Sequence, residues 1–251
     1  MYYFYSPPPP FYPNYYYQQP VQFLPRNTQT IDESRGSWTP FSWVEKYNYR
    51  FNGPENKAEI ALTFDDGPDP DFTPTILEKL AKYNVLATFF LLGENAEKYP
   101  EIAKDIVAAG HIIGNHTYTH PKSTKLDLDS FKHEVGQADE LLTTLSGYRP
   151  KFFRPPYGDI DAEKLEWLTK QELFTVQWNL DTDDWRGLSA DVITQKVASG
   201  AYPGSIVLQH NAKGVPLQGT VDALDLFIPQ MQAKGVRFVT LPEMFSTTKE
   251  R

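Results

Sequence analysis

Cysteine is absent from the 251 residues. Disulfides, thiolate catalysis and cysteine-based zinc sites are therefore excluded. No run of 18 apolar residues occurs, so hydropathy offers no membrane-spanning helix. No cluster of five or more basic residues appears, and 24 Lys and Arg against 32 Asp and Glu leave a net charge of −8. That balance argues against a nucleic acid or an anionic membrane as partner. Nothing basic precedes Arg26 and no continuous apolar segment follows the start, so the N-terminus does not read as a secretory signal.

What is present suffices for a packed core, with 40% hydrophobic and 22% charged residues. Residues 1–26 stand apart. The first twenty hold seven of the 15 Tyr and six of the 21 Pro, including Pro7 to Pro10. Four successive prolines favour polyproline II and cannot join a helix or a central strand. This tail reads either as a solvated leader or as a Tyr-rich docking segment. Residues 27–57 read as a lead-in that packs on the domain near Trp38 to Trp43. From residue 58 to 247 the pattern is regular.

Strand-like runs fall at Glu59–Phe64, Ala87–Leu92, His111–Gly114, Phe152–Arg154, Phe174–Trp178, Ser205–Gln209 and Arg237–Thr240. Helix-like stretches lie between them, at about 73–83, 95–109, 129–146, 161–171, 190–199 and 219–234. Gly110, Gly147 and Gly235 sit where helices should stop. Strand–helix alternation of this kind predicts an α/β fold of parallel strands with helical crossovers. In a parallel β/α barrel the strand ends meet on one face, where such folds do chemistry.

Unusual polar groups sit at those ends. Asp65 and Asp66 close the run Ile60-Ala61-Leu62 and open a turn, Gly67-Pro68. Two adjacent like charges are costly unless something uses them. His116 and His120 are four apart, a spacing that predicts one side of a helical turn. One carboxylate and two imidazoles can hold a divalent metal with positions left open, and a second Asp beside it can act as a base. Taken singly, the Asp pair could be only a turn and the His pair only a cap or a surface pair.

Arg154-Pro155-Pro156-Tyr157-Gly158 is a stiff turn that holds the Tyr157 N–H in place, and a rigid N–H is an oxyanion donor. Arg154 is a permanent cation suited to pairing with a buried Asp. Asp184 is a candidate partner for His210, which could then serve as a general acid. Trp185 and Leu208 could line a small apolar pocket. His111 and His133 read as structural or solvated.

In order, the segments TFDDG (63–67), HTYTH (116–120), RPPY (154–157), DTDDW (181–185) and LQH (208–210) resemble the five motifs of the NodB-type polysaccharide deacetylases, carbohydrate esterase family 4. The resemblance covers roughly residues 58–245 and leaves residues 1–50 outside. It implies a distorted (β/α)7-8 barrel and a divalent metal, Zn²⁺ first, with Co²⁺ or Ni²⁺ as alternatives. Asp66, His116 and His120 look like its ligands. Asp65 looks like the base with Arg154 as its tether, and Tyr157 like the backbone oxyanion donor beside an acetate site. His210, tuned by Asp184, looks like the acid, while Trp185 and Leu208 look like the acetyl pocket.

The implied reaction is hydrolysis of N-acetyl groups on N-acetylglucosamine residues of a β-1,4-linked polysaccharide, either peptidoglycan or chitooligosaccharide. Two other readings use the same residues less completely. A 2-His-1-Asp triad also serves non-haem iron oxygenases, but that chemistry does not call for Asp65, Arg154 or His210. The third reading is a catalytically silent glycan-binding protein. A wall or spore-surface location suits the substrate class, with the tail attached to a surface layer; the absence of a recognisable leader suits a cytoplasmic one.

Overall fold

The chain is described by a computed structural model covering residues 40–212 and 214–251. The Tyr/Pro-rich stretch 1–26 lies outside the described residues, as does Trp38. The described chain opens with α1 (Pro40–Lys46) and β1 (Tyr49–Arg50), followed by β2 (Glu59–Asp65), α2 (Thr73–Lys82) and β3 (Thr88–Leu91). Next come α3 (Gly93–Lys98), α4 (Pro100–Ala108), β4 (Ile112–Asn115), α5 (Leu128–Ser146) and β5 (Phe152–Phe153). The chain continues through α6 (Ala162–Lys170), β6 (Phe174–Val176), β7 (Leu180–Asp181), α7 (Ala190–Gly200) and β8 (Ile206–His210). It finishes with α8 (Gln218–Ala233), β9 (Arg237–Phe238) and α9 (Leu241–Met244).

Every strand pairing is parallel, in the order β1-β6-β5-β4-β3-β2-β8-β7, with β9 against the start of β2. The helical crossovers cover the outer face, giving the expected distorted barrel, with β1 and β7 at the ends of the strand order. β2 lies in the middle, and all seven of its residues are buried. Its side chains alternate as a strand requires. Ile60, Leu62 and Phe64 point outward into a core shared with Ile76, Leu80, Leu224 and Phe227 on the surrounding helices. Ala61 faces the interior with Phe90, Phe152, Val176 and Ile206. Thr63 and Asp65, on that inner face, reach the barrel mouth.

Local chemistry sets the element ends. Asp127 caps α5 by accepting from the Ser130 N–H at 2.8 Å, and Gly147, at φ 75°, closes it in the left-handed conformation that glycine tolerates. Asp161 caps α6 by accepting from the Lys164 N–H at 3.0 Å. α9 carries Pro242 in its first turn, inside a capping box formed by Thr240 and Glu243.

Three features differ from the sequence expectation. The single helix expected over 95–109 is two, because Pro100 has no N–H to continue the ladder and instead opens α4. β1 and β7 are strands of two residues each, too short to show a period of two. The last strand ends at Phe238, and Leu241 begins a helix.

Candidate metal and catalytic site

β2 delivers two adjacent carboxylates to one mouth by breaking its own alternation. Successive strand residues point to opposite faces, but Asp66 leaves the strand at φ 73° and swings inward beside Asp65. Asp66 Oδ1 then lies 3.4 Å from His116 Nε2 and 3.2 Å from His120 Nε2. One ligand atom from each of the three residues falls within 4.8 Å of the other two. The turn is pinned from outside: Asn95 Nδ2 donates to the Asp66 carbonyl at 2.7 Å, and the Gly67 N–H donates to Asn211 Oδ1 at 3.1 Å. Asn211 Nδ2 in turn donates to Thr73 Oγ1 at 2.9 Å.

His116 stands at the end of β4, 2% exposed. Its Nδ1–H donates to the Arg154 carbonyl at 2.7 Å, since a carbonyl can only accept. In the neutral ring this leaves the Nε2 lone pair facing Asp66, the form a cation needs. When the rings are protonated, the same nitrogens act on Asp66 instead. Burial raises the Asp66 pKa, but hydrogen bonds from His116 and His120 outweigh it and hold the carboxyl well below the usual range. Two imidazole nitrogens and one carboxylate oxygen form a donor set suited to Zn²⁺ and its neighbours.

The segment from His116 to His120 is not helical, contrary to the reading of its four-residue spacing. Thr117 and His120 take φ values of 69° and 64°, and no bond joins His120 to His116 along a helix turn. The two rings meet through a compact loop, 5.0 Å apart between centroids and tilted 60°.

Arg154 is fully buried and Asp65 nearly so, and they pair at 2.8 Å. The same guanidinium donates to Thr63 Oγ1 at 2.8 Å and to the Val176 and Gln177 carbonyls at 3.0 Å each. Burial lowers the Arg154 pKa below its ordinary value, and Asp65 offsets only part of that shift. Its carbon lies 4.2 Å from the centre of the Phe90 ring. Three residues later the chain turns through Tyr157 at φ 60°, a residue 57% exposed whose ring is edge-on to His120 at 4.5 Å. Gln177 Nε2 holds that turn through the Gly158 carbonyl at 3.0 Å.

β8 carries the remaining groups. Parallel pairing with β2 sets Leu208 opposite Thr63 and His210 opposite Asp65, so both share the inner face. His210 Nδ1–H donates to Asp184 Oδ1 at 2.7 Å. Asp184 Oδ2 accepts from the His210 N–H at 2.8 Å and from Thr220 Oγ1 at 2.9 Å. Burial lowers the His210 pKa, but Asp184 outweighs it, with smaller help from Asp66 and Asp65, and the imidazole ends above its ordinary value. Leu208 is buried, and Trp185 stands 42% exposed.

His111 is structural: its Nδ1 accepts from the Ala87 N–H at 3.0 Å, and burial lowers its pKa to about 4. A cavity of about 510 Å³ lies at the opposite end of the barrel, lined by residues such as Lys151, Glu172, Phe174 and Arg251. No candidate site residue borders it, so geometry rather than cavity size locates the chemistry.

Sequence reasoning missed Asn95, Asn211, Gln177 and Thr220. Asn211 follows directly on the LQH motif, an adjacency that could have drawn notice; the others left no signal.

The molecule is similar to known proteins over most of its length. A family model described as polysaccharide deacetylase matches residues 52–176. A peptidoglycan-N-acetylglucosamine deacetylase of Bacillus cereus is 58% identical over 234 residues, covering 92% of this chain and 85% of that protein. A chitooligosaccharide deacetylase of Azorhizobium caulinodans is 33% identical over 200 residues, covering 75% and 95%. The crystal structure of the Bc1960 peptidoglycan N-acetylglucosamine deacetylase, in complex with 4-naphthalen-1-yl-N-oxidanyl-benzamide, superposes with a TM-score of 0.84 at 60% identity. That match covers 85% of this chain and all of the other.

Proposed function

Because this chain belongs to the polysaccharide deacetylase family, we propose that it hydrolyses the N-acetyl groups of N-acetylglucosamine residues in a β-1,4-linked polysaccharide, releasing acetate. Peptidoglycan is the favoured polymer, since the Bacillus cereus relative at 58% identity is named for it. One observation carries the reading: a compensated carboxylate, an Asp-His-His cluster and a carboxylate-backed histidine share one barrel mouth.

Asp66, His116 and His120 would hold a divalent cation, Zn²⁺ in the first instance. Such an ion, when bound, polarises the acetyl carbonyl and acidifies a water. Asp65 takes a proton from the attacking water, and Arg154 keeps that carboxylate fixed and charge-compensated. The Tyr157 N–H donates to the oxygen of the tetrahedral adduct. His210, its ring oriented by Asp184, gives its proton to the departing amine, which is a poor leaving group until protonated. Leu208 and Trp185 enclose the acetyl methyl. Water and amide thus become acetate and a free glucosamine.

The test is acetate release from peptidoglycan, chitooligosaccharides and xylan. The chelated protein should be inactive and Zn²⁺ should restore it, with Co²⁺ and Ni²⁺ compared. Asp65→Asn should lose at least about 100-fold in kcat, in line with the loss of a general base. Unchanged activity after chelation would refute the metal. Strict dependence on O₂ and Fe²⁺ would favour the oxygenase, and glycan binding without acetate would favour the silent binder. No helix among the described residues is long and apolar enough to cross a membrane. A wall or spore-surface location, with residues 1–26 attached to the surface layer, is part of the proposal; unchanged location on deleting them would reject that role.

A further inference from the structure

The loop that carries both histidines has a complete and unusual hydrogen-bond account. The His116 N–H donates to the Leu91 carbonyl at 3.0 Å, extending the strand pairing. The Thr117 N–H donates to Asn115 Oδ1 at 2.9 Å, and the His120 N–H to Thr117 Oγ1 at 3.2 Å. The two N–H groups between them end on one atom of a distant side chain. Glu134 Oε2 accepts from Tyr118 N–H at 3.0 Å and from Thr119 N–H at 2.8 Å. Its Oε1 accepts from Thr119 Oγ1 at 2.8 Å. On the opposite side, the Thr117 and Tyr118 carbonyls accept from the Gly93 and Glu94 N–H groups at the start of α3.

We propose that Glu134 is a positioning residue for the metal ligands, the clamp that holds His120 against His116 and Asp66. The assignment rests on the metal reading of the preceding section. Thr117 and His120 sit in left-handed backbone that non-glycine residues adopt only when their surroundings enforce it. Loop carbonyls tied to α3 fix where the loop lies, the Thr117 and His120 N–H bonds stay within residues 115–120, and the partners of the Tyr118 and Thr119 N–H groups tie its curl to the rest of the fold. Glu134 supplies both from α5, a helix of 19 residues rooted in the core through Phe131, Val135, Ala138 and Leu142. An ionised carboxylate accepts such bonds more strongly than a neutral group. Without it the peptide groups leading to His120 lose their anchor on α5, while His116 keeps its own bond to the Arg154 carbonyl. Removing a partner that orients metal ligands weakens metal binding by about 10–100-fold.

Glu97 provides an internal control, because it also tethers this loop, through the Tyr118 hydroxyl at 2.6 Å, but not through the backbone. The experiment titrates Zn²⁺ into the metal-free full chain against a chromophoric chelator, for wild type, Glu134→Gln, Glu134→Ala and Glu97→Ala. Circular dichroism confirms folding of each. Glu134→Ala should weaken Zn²⁺ about 10–100-fold, Glu134→Gln should fall between it and wild type, and Glu97→Ala should match wild type. Acetate release by the Glu134 variants should recover at saturating Zn²⁺. If Glu134→Ala does not fold, the Gln variant alone decides. A folded Glu134 variant that binds Zn²⁺ within twofold of wild type would overturn the assignment, as would an equal loss in Glu97→Ala. A wild-type chain that binds no divalent ion would overturn the metal reading itself.

Discussion

Replacing Arg154 with methionine should destabilise the fold as well as abolish activity, and the structure sets the size. An exposed Arg–Asp pair is worth about 0–1 kcal/mol. This pair is not exposed: the side chains of Arg154 and Asp65 are 0% and 4% accessible. Removing the cation leaves a carboxylate in the barrel without its counter-charge, at a cost of about 3–5 kcal/mol. The Val176 and Gln177 carbonyls also lose donors. Against a typical total stability of about 5–15 kcal/mol, the loss is large. Adding Asp65→Asn removes the orphaned charge, so the double variant should be more stable than the sum of the single effects by about 2–3 kcal/mol. Urea unfolding with chelator present, followed by tryptophan fluorescence, measures all four corners of the cycle. Additive effects, or a loss below about 1 kcal/mol for Arg154→Met, would mean that the pair behaves as a surface contact.

Three further outcomes follow from the site. Asp184→Asn removes the charge that lifts His210 above its ordinary value. Because the proposed mechanism needs His210 protonated, activity in the variant should fall at lower pH on the alkaline limb, read from a kcat–pH profile; an unmoved limb would disprove the pairing. The same raised pKa makes the His210–Asp184 contribution to stability complete below the unfolded histidine value of about 6.5, and lost as pH rises through the folded one. Asn211→Leu strands the buried Gly67 N–H and should lower stability by about 1–3 kcal/mol, seen as a lower urea midpoint at constant slope; no change would show that Asn211 does not hold the turn.

The legible part of this molecule is the part written in local pattern. β2 announces itself because Ile60, Leu62 and Phe64 alternate toward the helices, and the glycines closing α4, α5 and α8 mark their ends through positive φ. The catalytic candidates are legible because their chemical types are rare and they cluster at or just past the ends of strands. Their supports are not. Gln177 reaches Gly158 across 19 positions, Thr220 reaches Asp184 across 36, and Asn211 reaches Gly67 across 144. Hydrogen bonds over such separations impose no period and no composition on the sequence. The HTYTH loop shows the opposite error, since its spacing mimics a helix turn while its backbone is bent by Thr117 and His120 and held from α5.

The pairing of Asp65 with His210 in neighbouring strands divides labour between ladder and loops. The separation of the proposed proton acceptor and proton donor is written into main-chain pairing, where a side-chain exchange cannot alter it. Loops that meet the polymer can therefore diverge without retuning the acid–base spacing, and a family built this way can change diet while keeping its chemistry. The same rule sets its weakest point. A slip of β8 by one residue against β2 would turn His210 toward the helices and present Gln209 to the mouth.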